Sequence, residues 1–158
     1  MTEDYLQIMV ESLEKKNCVL DKVIELDKRQ LEISMQRPFD MEAYDATMEE
    51  KGALIEQLER LDDGFTLTYE RVRDEVQANP DKYRSKVLEM RELIRMAIDK
   101  GVAVEAQEQR NKQAMQNAIQ GKRKEIRHAK ISTAAAAKYY KAMSRINEVD
   151  PQLMDRKK

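Results

Sequence analysis

Side-chain catalysis needs a nucleophile beside a base, two carboxyls of split acidity, or metal ligands at fixed spacing, and this sequence offers little of any. It holds one histidine, His128, and one cysteine, Cys18. His128 stands among Lys124, Arg127 and Lys130, which reads as a solvated basic face and not as a ligand. Adjacent carboxylates such as Asp62-Asp63 and Glu49-Glu50 are expected by chance in a chain with 30 Asp and Glu among 158 residues. A Gly-rich phosphate loop, a GxSxG elbow and a dinucleotide fingerprint are all missing. The expectation is a protein that is not an enzyme and uses no cofactor or metal.

The run Lys122-Arg123-Lys124-Glu125-Ile126-Arg127-His128-Ala129-Lys130 has the charge to meet phosphate. It carries no stacking aromatic, and much of the remaining chain is acidic enough to repel DNA, so no nucleic-acid partner is expected. No segment approaches the roughly 20 apolar residues that span a bilayer, so no membrane insertion is expected either. Cys18 alone makes no disulfide framework, and the opening residues carry acids where a signal peptide carries bases. A cytoplasmic location follows as the expectation.

The elements behind these residues are set by Pro38, Pro80 and Pro151, the only prolines. Proline ends helices, and between these three an apolar residue returns every three or four positions. A content of 37% charged and 5% aromatic residues is that of long helices and coiled coils. The fold expected is all-α: an elongated antiparallel three-helix bundle over 1–130, with helices at about 2–36, 40–78 and 81–129. A basic amphipathic tail, 131–158, follows.

In the first helix the seam is Leu6, Val10, Leu13, Asn17, Leu20, Ile24, Asp27 and Leu31, broken by Asn17 and Asp27. A buried Asn at such a position fixes register at some cost in stability. Thr2 is the expected N-cap of this helix, and Asp40 that of the second, with Phe39 stapled on Tyr44. The second seam is Met41, Tyr44, Met48, Lys51, Ile55, Leu58, Asp62, Phe65, Tyr69, Val72 and Val76. Gly64, after two aspartates, marks an expected kink or close helix contact.

The third seam starts with Tyr83, Val87, Met90, Ile94 and Ala97, then turns half polar past Gly101: Val104, Glu108, Asn111, Met115, Ala118 and Lys122. A helix reaching residue 129 would be about 70 Å long, longer than either neighbour. Its distal strip is therefore expected to lack cover and to accept a visiting helix. Of the ten methionines, Met41, Met48 and Met90 are expected in the core, while Met115 and Met143 divide between core and partner contact. The tail keeps a stripe of its own: Ile131, Ala135, Tyr139, Ala142, Ile146, Val149 and Leu153.

Charge is divided along the chain. Residues 1–79 hold 20 acidic and 10 basic side chains, and residues 80–158 hold 10 and 19. Opposite charges are expected to face one another where the third helix folds back.

Three stretches carry a family resemblance. Lys51-Gly52-Ala53-Leu54-Ile55-Glu56-Gln57-Leu58, followed by Leu61-Asp62-Asp63-Gly64-Phe65, resembles the "K..LI..L..LD.GF" stretch of flagellar export chaperones of the FlgN type. Gln109 to Met115 is similar to the asparagine-centred patch on that family's long helix, and Tyr139-Tyr140 through Lys158 resembles its "YY…PQFMDKKK" close. The alanine run 134–137 departs from the pattern. The resemblance implies a cytoplasmic, non-catalytic chaperone that holds the C-terminal helices of hook-associated proteins and delivers them to the type III export gate. It implies a client groove at Asn111, Met115, Ile119, Ile126 and Ile131, to which the strip adds Val104 and Ala118, and gate docking through Tyr139 or Tyr140. Alternatives are a chaperone of the filament cap protein and a self-associating coiled-coil scaffold without a client. Monomer and homodimer both remain open.

Overall fold

The computed structural model describes residues 1–120 and, beyond them, Lys138. Among the described residues the chain is all-helical, with α1 at Thr2–Met35, α2 at Met41–Ala78 and α3 at Arg84–Gln120, and no strand. Asp40 caps α2 by accepting from the Ala43 amide at 3.0 Å, and the Phe39 and Tyr44 rings meet at 5.9 Å. Thr2 does not cap α1: it is already helical, Met1 takes the cap position, and no side chain bonds the free amides there. Glu3 and Asp4 still place negative charge against the positive helix end.

Contacts fix the directions. α1 meets α3 through Gln7–Lys86, Asn17–Leu93 and Asp27–Asn111, rising together, so these two helices run parallel. α1 meets α2 through Ser12–Leu61 and Gln30–Met48, running in opposite senses. The chain goes up, down and up. α1 is the hub: it packs along both neighbours, whereas no Cα of α2 comes within 8 Å of one in α3.

A hub must bury a wider face, and α1 does. Beside the expected seam, of which Ile24 and Leu31 are half-buried, it buries Met9, Lys16, Val19, Val23, Leu26, Gln30 and Ser34. α3 buries positions alternating by three and four, from Val87 through Met90, Ile94, Ala97, Gly101, Val104, Glu108, Asn111 and Met115 to Ala118. That spacing is the heptad of coiled-coil packing. Three apolar clusters follow one another along the bundle. Leu6, Leu13, Phe65, Val72 and Met90 belong to the first, Leu20, Ile55, Leu58 and Val104 to the second, and Phe39, Tyr44, Met115 and Ala118 to the third.

Two further expectations fail here. Gly64 marks neither kink nor contact: α2 runs unbroken through it, and a Cβ added there would meet nothing within 4 Å. The stretch of α3 past Gly101 is not uncovered. Because α1 and α3 run parallel with Asp27 level with Asn111, α1 accompanies α3 nearly to its described end, where the start of α2 adds cover. Through Gln120, α3 has 37 residues against 34 in α1 and 38 in α2, and the expected continuation to 129 lies outside the described residues. No described helix is long and apolar enough to cross a membrane.

Candidate functional site

The residues that interrupt the seams are polar on all three helices, and the fold brings them together. Lys51 of α2 is 1% exposed. Its Nζ donates to Gln30 Oε1 at 2.6 Å and Glu108 Oε1 at 2.6 Å, and lies 3.0 Å from Asp27 Oδ1. An ammonium has three protons, and here three acceptors surround it. Asn111 Nδ2 of α3 donates to the Asp27 backbone carbonyl at 2.8 Å and to Gln30 Oε1 at 3.3 Å. Gln107 Nε2 in turn donates to Asn111 Oδ1 at 2.8 Å, and Gln30 Nε2 reaches Met48 Sδ at 3.0 Å. One polar layer thus ties α1, α2 and α3 at a single level.

This layer holds two carboxyls and one ammonium. Fully ionised it would bury a net negative charge, which an apolar interior does not tolerate. Burial pushes the Asp27 carboxyl up to about 7; the Lys51 ammonium opposes that rise, and Glu108 adds to it by charge and by hydrogen bonding. Asp27 Oδ2 and Glu108 Oε2 find no donor among the described residues. A proton on Asp27 brings the net charge of the layer toward zero.

A second polar level lies nearer the other end. Lys16 Nζ of α1 sits 3.1 Å from Asp62 Oδ1 of α2, both side chains being nearly inaccessible. Beside it, Asn17 Nδ2 donates to the Leu13 carbonyl at 3.0 Å and across to the Leu93 carbonyl of α3 at 3.1 Å. Asp62 therefore belongs to a structural ion pair and not to a carboxylate pair with the exposed Asp63. Among the described residues no group of three His, Cys, Asp or Glu side chains is placed to hold a metal ion. Cys18 is exposed.

The residues expected to form an open client strip are placed otherwise. Val104, Asn111, Met115 and Ala118 are all buried, and Ile119 is half-buried against the cluster around Phe39 and Tyr44. The premise of an unshielded strip on α3 is thus corrected: Met115 is core, as are Met41 and Met90. Ile126, Ile131, Tyr139 and Tyr140 lie outside the described residues, as does Met143. Among the described residues, the expected charge docking between α3 and α1 amounts to the rim pair Lys100–Asp21 at 3.1 Å. The buried α2–α3 pair, Lys51–Glu108, has the base on the acidic half and the acid on the basic half.

In the sequence, Asp27, Lys51, Asp62, Glu108 and Asn111 each stand alone as breaks in their seams. The signal that pairs them is stoichiometric: each helix has polar seam residues of complementary sign, and one register aligns them. Lys16 and Gln30 fell outside the single seam assigned to α1, because a hub helix carries two. No protein-family model, curated protein or solved structure matches this chain.

Proposed function

We propose that this chain is a non-catalytic, helix-holding export chaperone of the FlgN type, cytoplasmic, taking the C-terminal helices of hook-associated flagellar proteins and passing them to the export gate. The observation that carries the reading is the arrangement of the helices: α1 packs closely along both neighbours, whereas α2 and α3 meet through side chains such as Lys51–Glu108 with no Cα of one within 8 Å of the other, a wider spacing suited to one more helix on that side. The resemblance of residues 51–65, 109–115 and 139–158 supplies the class of client. The sealed state of Val104, Asn111, Met115 and Ala118 changes the mechanism from the one expected from sequence. A client helix enters by exchange for whatever covers these residues, and exchange moderates affinity and permits release. The polar layer at Asp27, Lys51 and Glu108 favours such exchange, since a core partly held by charge gains less from closure than an apolar one.

Co-purification with the last helical segment of a hook–filament junction protein tests the reading, and failure to form a complex with any axial flagellar protein rejects it. Running the filament cap protein beside it separates the two chaperone assignments. The scaffold alternative draws on Leu88 and Val102, apolar and about half exposed on one row of α3. A tight oligomer whose sedimentation does not change with concentration would favour it.

A further inference from the structure

We propose that the end of the bundle beyond the Asp27–Lys51–Glu108 layer is a pH-controlled switch, which opens as a unit when the layer loses its proton while the remainder stays closed. The first support is the uneven division of the core. Beyond the layer lie residues 28–35 of α1, 41–50 of α2 and 109–120 of α3. Their apolar packing is the third cluster, with Phe39, Met41, Tyr44, Met115 and Ala118, and among the described residues it is the smallest of the three. Ile33, Met48 and Ile119 pack against it only half-buried. On the other side of the layer two larger clusters follow one another, and between them Lys16–Asp62 and Asn17–Leu93 tie α1 to both neighbours. A segment with few buried apolar contacts opens at lower free energy than the core it adjoins.

Charge supplies the trigger. Asp27 is 0% exposed and Glu108 2%, so neither carboxyl reaches water while the end is closed. From α2 the charged group facing Asp27 is the Lys51 ammonium, and from α3 it is Glu108, which takes the same ammonium. Gln30 of α1 and Asn111 of α3 complete the surroundings without charge. Arg29–Glu50, the neighbouring α1–α2 pair, lies on the rim with both side chains more than half exposed. One buried cation therefore serves two buried acids, and burial favours the protonated form of Asp27. Opening returns Asp27 to water and to its ordinary acidity, so the open state gives up a proton that the closed state keeps. By linkage the open population grows as pH rises, about a hundredfold from pH 5 to pH 8, and levels off once Asp27 ionises in the closed state too.

Opening uncovers a particular surface. Met115 and Ala118 part from Phe39, Met41 and Tyr44, and Ile119 loses what cover it has. These are apolar positions on one face of α3, spaced for contact with another helix. Where the chaperone reading also holds, a client helix takes this surface and its binding releases a proton, but the opening itself does not rest on that reading.

Native-state hydrogen exchange of the full chain, from pH 5 to 8 and in low urea, tests it, each rate being divided by the unfolded-chain rate at that pH. The amides of Thr47, Met48 and Met115 are expected to open about a hundredfold more often at pH 8 than at pH 5, with a urea dependence well below that of Leu13 and Met90. Asp27→Asn is expected to abolish this pH dependence. Thiol labelling gives a second readout. In a Cys18→Ser background, Ala118→Cys is expected to react with the same pH profile once corrected for the free thiol, whereas Ala97→Cys, on the other side of the layer, reacts only at the rate of global unfolding. Equal free energies and urea slopes at the two ends would overturn the proposal, because opening would then be global. Protection of Met115 that does not change with pH, or Asp27→Asn with the wild-type profile, would overturn it too. Each readout is taken without client, so failure to bind junction proteins leaves it unaffected.

Discussion

Replacing Asp27 by asparagine tests the protonation of its buried carboxyl directly. In the folded chain the Asp27 carboxyl is raised to about 7 from an ordinary value of 3.8, so between those values the native state holds a proton that the unfolded state has released. By linkage, this group's contribution to stability is greatest below about pH 4 and is lost as pH rises toward 7. The window spans about three pH units, and at about 1.4 kcal/mol per unit the loss comes to about 4 kcal/mol. Asp27→Asn keeps the shape of the protonated acid and removes the titration. Wild type and variant should therefore unfold in urea with free energies within about 1 kcal/mol of each other at pH 4.5. They should diverge steadily above that, with the variant more stable by about 4 kcal/mol at pH 8. Glu108→Gln removes the carboxylate that adds to the rise, so it should shrink the same pH dependence while leaving Lys51 one charged partner. Parallel stability curves for wild type and Asp27→Asn from pH 4.5 to 8, or a variant less stable at pH 8, would show that burial does not hold a proton on Asp27.

Two further outcomes follow from the same packing. Lys51→Met removes the only ammonium in the layer among the described residues and strands Asp27 and Glu108, so it should cost about 3–5 kcal/mol at pH 8 and clearly less at pH 5, where protonation of Asp27 relieves part of the stranded charge. Denaturant titrations at the two pH values check this. Gly64→Ala adds a methyl that meets no atom within 4 Å in the middle of a long helix, and should raise stability by up to about 1 kcal/mol, read as a higher melting temperature.

The helices were legible because each signal that sets them is local. Proline at 38 and 80, the Asp40 cap and the recurrence of Leu, Ile and Val every three or four residues act within a turn or two of their own position. What escaped was relational. That α3 lies parallel to α1, and so reaches Met115 still accompanied, depends on how two loops route the chain, which no heptad count contains. The site was legible only in its parts. Asp27 and Lys51 each look like a flaw in a seam, and the meaning of each depends on a residue 24 positions away in sequence and 3.0 Å away in space.

That dependence also accounts for charges in a core where methyl groups would pack with less cost. Apolar heptads are degenerate: sliding α2 by seven residues along α1 still sets leucine against leucine, with small loss. The polar levels remove this freedom. A seven-residue slip would carry Lys51 to where Leu58 now sits, level with Leu20, or to the place of Tyr44 beside Met115, burying an ammonium without a partner. The same slip would strip Lys16 of Asp62 and Glu108 of Lys51. Each stranded charge costs several kcal/mol, more than one lost apolar contact, so the wrong registers are penalised at two levels simultaneously. Buried Asn17 adds a third constraint by reaching the Leu93 carbonyl on α3 alone. A bundle whose register is held by charge can loosen its apolar contacts to exchange one helix for another and still close in one alignment, a property that a purely aliphatic core of the same length would lack.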